Sequence, residues 1–194
     1  VAFRAANRAR EPGWHNAPVA SFGDPDAPLL IVGLAPGLRG ANRTGRPFTG
    51  DVAGELLYQA LARHGLSRGR FAASPSDGLE LVGCRVTNAV RCVPPENRPL
   101  PAEIGACRRF LRDELDGPAP RVVLCLGRIA HDSVLRALGL PPTRYRFAHG
   151  AVHHPEGAPS LVASYHTSRY NVQTGRITAA MFDAVVGTAV GLCR

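Results

Sequence analysis

A histidine, an aspartate and an asparagine stand where they could do chemistry. His166 lies directly beyond the apolar run 161–165, in Ser164-Tyr165-His166-Thr167-Ser168-Arg169-Tyr170-Asn171. An imidazole just past a buried strand can be held at a pocket mouth, where it exchanges a proton near neutrality; elsewhere a lone histidine is structural or solvated. Asp51 closes the long loop 33–50 and precedes Val52, Leu56, Leu57, Ala60 and Leu61, which recur at helical spacing. Its carboxylate is therefore either a helix cap or a group free for catalysis. Asn88, in Thr87-Asn88-Ala89-Val90-Arg91-Cys92, carries both a donor and an acceptor. One edge of a nucleobase needs that pair, and a turn cap uses it as readily.

The loop 33–50 combines glycines, which let backbone amides approach a ligand, with Arg39, Arg43 and Arg46. That combination suits an anion. It is neither a Walker loop, since no Gly-Lys-Ser/Thr follows, nor a dinucleotide fingerprint. Phe48, after Arg46-Pro47, is either an aromatic platform for a ligand or a core residue.

The elements that must position these groups follow from hydrophobic pattern. Leu29-Leu30-Ile31-Val32, the β-branched segment within 79–90, the run 121–127 and the run 161–165 predict buried strands. Helical spacing predicts helices over 51–64, 101–115, 128–138 and 178–192. Continuous apolar strands alternating with helices imply a three-layer α/β/α sandwich around a central, mainly parallel sheet. Ligands then collect beyond the carboxyl ends of the strands, where the unusual residues fall. Residues 1–28, polar and rich in Gly, Pro and Ala, read as an N-terminal extension to one domain spanning 1–194.

The 194 residues carry a formal charge of +8, with every cation an arginine. Such a balance favours a polyanionic partner, nucleic acid ahead of a membrane, although a basic but inert surface gives the same count. At 45% hydrophobic and 20% charged the chain can form a real core. No apolar run reaches the roughly 20 residues of a membrane helix.

The segments GLAPG, NRTGRPFTGD, VTNAVRCVPPEN and SYHTSRYNVQTGR, in this order across most of 22–182, resemble the motifs of the family 5 uracil-DNA glycosylases. GRPFTGD and TNAVRCVPPEN also resemble family 4, but Ala35 stands where family 4 has an acidic residue. The resemblance implies a monofunctional DNA-repair enzyme that everts a deaminated base, hydrolyses its N-glycosidic bond and leaves an abasic site. It implies Asp51 and His166 as catalytic residues: Asp51 to position water or stabilise the sugar cation, His166 to bond the leaving oxygen. Gly33, Leu34, Ala35, Phe48 and Asn88 would bind the base, with Phe48 stacking on it and Asn88 reading its edge. The small Ala35 implies a broad range: uracil, with hypoxanthine, xanthine and modified pyrimidines as further substrates. Arg169 and Tyr170 would enter or brace the duplex, and Arg39, Arg43 and Arg176 would contact phosphates. The partner is double- or single-stranded DNA bearing deaminated bases, and the expected protein is a monomer in a prokaryotic cytoplasm, associated with the nucleoid.

The five cysteines, an odd count with no visible signal peptide, fit a reducing compartment. Cys84 and Cys125 fall in strand-like segments and read as core thiols. Spacing alone leaves Cys92 and Cys107 as two unrelated buried thiols. The resemblance assigns them as two of the four ligands of a [4Fe–4S] cluster. The other two would belong to a Cys-x-x-Cys pair upstream of Val1, so either a preceding segment is missing from this sequence or the cluster has been lost. The lack of an initiator Met favours the former. Two other readings remain: a catalytically silent DNA- or nucleotide-binding module on the same fold, and a hydrolase with a metal on His153 and His154. Adjacent histidines on a strand point apart, which disfavours the last.

Overall fold

The computed structural model describes residues 2–116 and 120–194. In chain order the elements are α1 (Ala2–Arg10), β1 (Phe22–Gly23), β2 (Leu29–Gly33), α2 (Ala41–Thr44), α3 (Val52–Arg63), β3 (Ser67–Arg68), β4 (Glu80–Leu81) and β5 (Cys84–Asn88). A 3-10 turn at Pro95–Asn97 leads to α4 (Pro101–Asp116), β6 (Val122–Leu126), α5 (Arg128–Ala137), β7 (Val152–His153), β8 (Ser160–Ser164), α6 (Arg169–Gln173) and α7 (Ala179–Leu192).

Six strands form one sheet in the order β1-β5-β2-β6-β8-β7. The inner four, β5, β2, β6 and β8, run parallel, and the two-residue strands β1 and β7 close the edges antiparallel. Every residue of β2 and β6 is buried, as continuous apolar strands covered on both faces should be. Alternation along β2 then sorts the core. Leu29 and Ile31 pack with Leu57 and Leu61 of α3 and Phe182 and Val186 of α7. Leu30 and Val32 face the other way, onto Leu111 and Leu115 of α4 and Val134 and Leu135 of α5. The result is a three-layer α/β/α sandwich. Cys84 lies in the first cluster and Cys125 in the second, and burial pushes the Cys84 thiol up to about 12.

Three features depart from the pattern reading. The segment 79–90 is two strands, not one: the chain turns at Gly83, whose φ of +64° is costly for any side chain, and β4 pairs with β3 in a separate hairpin. Residues 2–28 contribute α1 and the edge strand β1. The fully buried Asn16 also stitches this stretch to the glycine-rich loop, accepting from Asn42 Nδ2 at 3.0 Å while its own amide donates to Glu11 O at 2.8 Å. Finally, Arg46 offers no charge to an anion. Its guanidinium is buried in a bidentate pair with Asp77, both bonds 2.8 Å, with the rings of Phe22, Tyr58 and Phe71 within 5.1 to 5.9 Å of its Cζ. The pair and the backbone amides of Ala72 and Leu79 hold the Asp77 carboxyl well below the usual range.

The carboxyl ends of β2, β5 and β8 deliver Gly33, Asn88 and the loop after Ser164 to one end of the sheet. Among the described residues no helix is long and apolar enough to cross a membrane.

Candidate active site

Asp51 caps α3 through one of its two carboxylate oxygens. Its Oδ1 accepts from Ala53 N at 3.2 Å and closes the first turn of α3, the capping role its position favours. The other oxygen, Oδ2, points back at the glycine-rich loop. A Cβ built on Gly40 would sit 2.2 Å from it, and one on Gly37 would sit 2.8 Å from it, so only glycine leaves the carboxylate where it is. Burial raises the Asp51 pKa, opposed by the amides of Ala53 and Gly54 and by the charge of Arg169. The carboxylate is thus partly desolvated, with one oxygen held by the Ala53 amide and the other against Gly37 and Gly40.

His166 comes from the loop after β8. Burial lowers its pKa to about 4, so the ring is neutral at pH 7 and can donate one N–H without carrying charge. Its backbone carbonyl accepts from Asn171 Nδ2 at 2.8 Å. The next residue, Thr167, is fully buried and donates through Oγ1 to Ala53 O at 3.1 Å. The ring stacks near-parallel on Phe48, at 27° with centroids 6.0 Å apart.

Phe48 belongs to the core and borders the cavity as well. It is 6% exposed and joins the core cluster, yet its ring also lines the site. Its φ of +52° is uncommon for a bulky residue and swings the ring over β2. There it meets Gly33: a Cβ at that position would lie 2.4 Å from Phe48 Cζ and 2.5 Å from Asn88 Oδ1. Gly33 and Asn88 are register partners at the ends of β2 and β5. Removing the side chain from one strand therefore lets an aromatic ring and a carboxamide meet at one spot. Among the described residues, the Asn88 amide and the His166 ring make no side-chain hydrogen bond to protein, which leaves their polar atoms for a ligand.

Asp51, His166, Phe48 and Asn88 line one cavity of about 660 Å³ together with Leu34, Ala35, Arg169 and Tyr170. Eight residues singled out from sequence thus share a single pocket, and Gly33 lies beneath it. Arg39 and Arg43 stand apart, in a neighbouring basin with Arg10 and Trp14. Arg176 is elsewhere again, its guanidinium 4.7 Å from the Tyr165 ring centroid, in a second basin that shares His166 and Leu34 with the first. Cys92 and Cys107 line neither cavity.

Sequence reading passed over two groups. Gly37 and Gly40 hold the Asp51 carboxylate open, and nothing but the density of glycines in that loop hinted at it. Glu96, Asn97 and Arg98 supply a further wall of the cavity, with φ of +52° at Glu96 and +56° at Asn97. The available signal there was Pro94-Pro95 followed by Glu-Asn, a turn-forming string.

Parallel strands gather these polar groups around one largely apolar hollow at the carboxyl end of an α/β sheet. The family model described as "Uracil DNA glycosylase superfamily" matches residues 20–188, and the chain belongs to that superfamily. It is 50% identical over 177 residues, 91% of this chain and 80% of the relative, to a type-5 uracil-DNA glycosylase of Thermus thermophilus. It is 43% identical over 172 residues, 89% of this chain and 75% of the relative, to one from Pyrobaculum aerophilum. A type-4 uracil-DNA glycosylase of Archaeoglobus fulgidus is more distant, at 33% over 152 residues, 76% of this chain and 69% of that protein. The type-5 branch is the better fit, as the Ala35 position implied.

Proposed function

We propose that the protein is a DNA-repair hydrolase that removes uracil from DNA by cleaving its N-glycosyl bond, with Asp51 and His166 as the catalytic pair. Membership of the superfamily and the type-5 relatives support the activity. The observation that carries the residue assignment is the shared cavity, in which a partly desolvated carboxylate and a neutral imidazole flank an aromatic ring and an unpaired carboxamide.

The chemistry follows from charge. As the bond between C1′ and the base nitrogen breaks, its electron pair leaves with the base and positive charge grows on the sugar. An anion near the sugar and a donor near the base oxygen stabilise that separation and little else. Asp51 Oδ2 supplies the anion. It also orients water toward C1′ and takes up the proton that water loses on becoming the anomeric hydroxyl. His166 donates its N–H to the carbonyl oxygen of the departing base; being neutral, it does not require the base to leave as an ion pair with imidazolium. Phe48 stacks on the everted ring, and Asn88 offers a donor and an acceptor to its edge. Ala35, small and at the pocket wall, leaves room for bases larger than uracil, so hypoxanthine and xanthine are further substrates.

Outside the pocket, Tyr170 is 69% exposed on α6 and is suited to enter the stack vacated by the base, with Arg169 beside it. Arg39, Arg43 and Arg176 are assigned to phosphates along the flanking strand. The partner is DNA, duplex or single-stranded, acted on by a monomer; the location proposed is the cytoplasm, at the nucleoid.

A four-iron cluster is proposed on Cys92 and Cys107. The residues present fit half of it. Cys107 Sγ is partly buried, its pKa raised first by burial and further by the neighbouring Cys92. Arg4 of α1 donates to Cys92 Sγ at 3.0 Å, bringing the N-terminal helix to the same spot. Among the described residues no third His, Cys, Asp or Glu joins them. The cluster's role would be to cross-link this flank of the molecule.

The test is strand scission. A duplex with one uracil, treated with the protein and then alkali, should break at that position, and substrates with hypoxanthine or xanthine should follow. Retained binding with intact strands would instead favour the silent DNA-binding module.

A further inference from the structure

The two most exposed large apolar side chains among the described residues are Tyr170, at 69%, and Leu100, at 62%. Tyr170 already has an assignment. Leu100 has none, and its setting is unusual. It immediately precedes Pro101, the first residue of α4, where Ser, Thr, Asp or Asn is favoured because a short polar side chain satisfies the free amides of the first turn. The rest of the capping arrangement is present. Glu103 Oε2 accepts from Leu100 N at 2.8 Å, and Leu100 O accepts from Glu103 N at 3.0 Å and Ile104 N at 3.1 Å. The backbone of this residue is therefore pinned by three hydrogen bonds while an apolar side chain projects into solvent. Helix stability does not explain a leucine there.

Leu100 also ends the segment that walls the active cavity. Glu96, Asn97 and Arg98 line it, as do Ser168, Arg169 and Tyr170 from the loop carrying His166. Two segments distant in sequence thus bound the same hollow, and each carries a prominent exposed apolar side chain at or within two residues of its lining. Positive charge accompanies both, Arg98 on one and Arg169 on the other. An apolar tip on a rigid backbone with an arginine next to it is the equipment that enters a base step and holds the adjoining phosphate.

We propose that Leu100 is a second duplex-engaging side chain, entering the base stack beside the everted nucleotide and acting with Tyr170 to keep the duplex open. The proposal rests on the glycosylase reading of the cavity. It makes Leu100 a positioning residue for double-stranded substrates, where unstacking must be stabilised, and irrelevant to single strands, where no partner strand competes for the base.

The informative variant is Leu100→Ser, because serine is a favoured cap and keeps α4 folded. Single-turnover excision of uracil is measured for wild type and variant on a duplex and on the same strand alone, with 2-aminopurine beside the uracil reporting unstacking. The expected result is a fall of roughly tenfold on the duplex, an unchanged rate on the single strand, an unchanged or higher melting temperature and a smaller fluorescence rise. A duplex-to-single-strand rate ratio within about twofold of wild type, or equal losses on both substrates, overturns the proposal. If wild type cleaves neither substrate, the fault lies with the glycosylase reading instead.

Discussion

Thr167 Oγ1 donates to Ala53 O at 3.1 Å, and Ala53 N in turn donates to Asp51 Oδ1 at 3.2 Å. One residue therefore links the loop after β8, which holds His166, to the first turn of α3, which Asp51 caps. The two residues proposed as the catalytic pair are 115 positions apart in the chain, yet this short path of hydrogen bonds joins the segments that carry them.

Thr167→Val keeps the shape and removes the bond. It should cost about 1 kcal/mol of stability. The larger effect should be on catalysis, since displacement by a fraction of an ångström loses alignment: kcat should fall roughly tenfold or more with KM little changed. A steady-state comparison on a uracil duplex checks this, and a variant that loses stability but keeps kcat refutes the linkage.

Gly40→Ala places a methyl group where Asp51 Oδ2 now lies, at 2.2 Å. With φ −90° and ψ −118°, Gly40 lies outside the backbone regions that L-residues favour, so alanine both strains this turn and crowds the carboxylate. Uracil excision should drop about a hundredfold, as for loss of a charge-stabilising group, while circular dichroism stays that of wild type.

The pH response follows from the signs of two shifts. Asp51 is raised above its usual 3.8, so activity should decline on its acidic side as that carboxylate protonates. His166 is lowered to about 4 by burial, so the ring is still neutral well below pH 7 and takes up a proton only in acid. Burial of the histidine also weakens folding in acid. Between about 6.5 and 4 the unfolded chain binds a proton that the folded chain refuses, so folding is favoured above this window and weakens as pH falls through it. His166→Gln should flatten that part of a melting-temperature profile. An unaltered slope would show that the ring is not desolvated.

The Arg46–Asp77 pair predicts a different behaviour. Removing one partner from a buried bidentate pair costs about 3–5 kcal/mol, because the other charge is stranded among Phe22, Tyr58 and Phe71. Asp77→Asn should lower the urea midpoint sharply while leaving single-turnover excision by the folded fraction near wild type. Since the Asp77 pKa is depressed, this stabilisation is complete above about pH 4 and is withdrawn as pH falls further.

Much of this was legible in the sequence where burial is total. β2 and β6 announce themselves as unbroken apolar runs and β8 as a shorter one between two serines, and α3, α4, α5 and α7 end within a residue or two of their predicted limits, because each presents one face to the sheet. The edge strands β1 and β7 were not legible: two residues cannot express a period, and they pair only because β5 and β8 leave an edge to fill. The glycine loop was legible as a segment that borders the cavity but not in its parts. Arg43 and Arg46 look alike in sequence. A carboxylate 31 positions away takes Arg46 into the core, and only the fold brings Asp77 there. Gly33 and Gly40 likewise owe their necessity to Phe48, Asn88 and Asp51, partners that local sequence does not reveal.

Single-turnover excision by Asp51→Asn and His166→Ala, with DNA affinity measured on the same preparations, tests the central assignment most directly. Asparagine preserves the cap on α3 and relieves a buried charge, so Asp51→Asn should melt no lower than wild type. The assignment predicts rates on a uracil duplex reduced about a hundredfold or more in each variant, with dissociation constants close to wild type. Wild-type rates in both variants would contradict it.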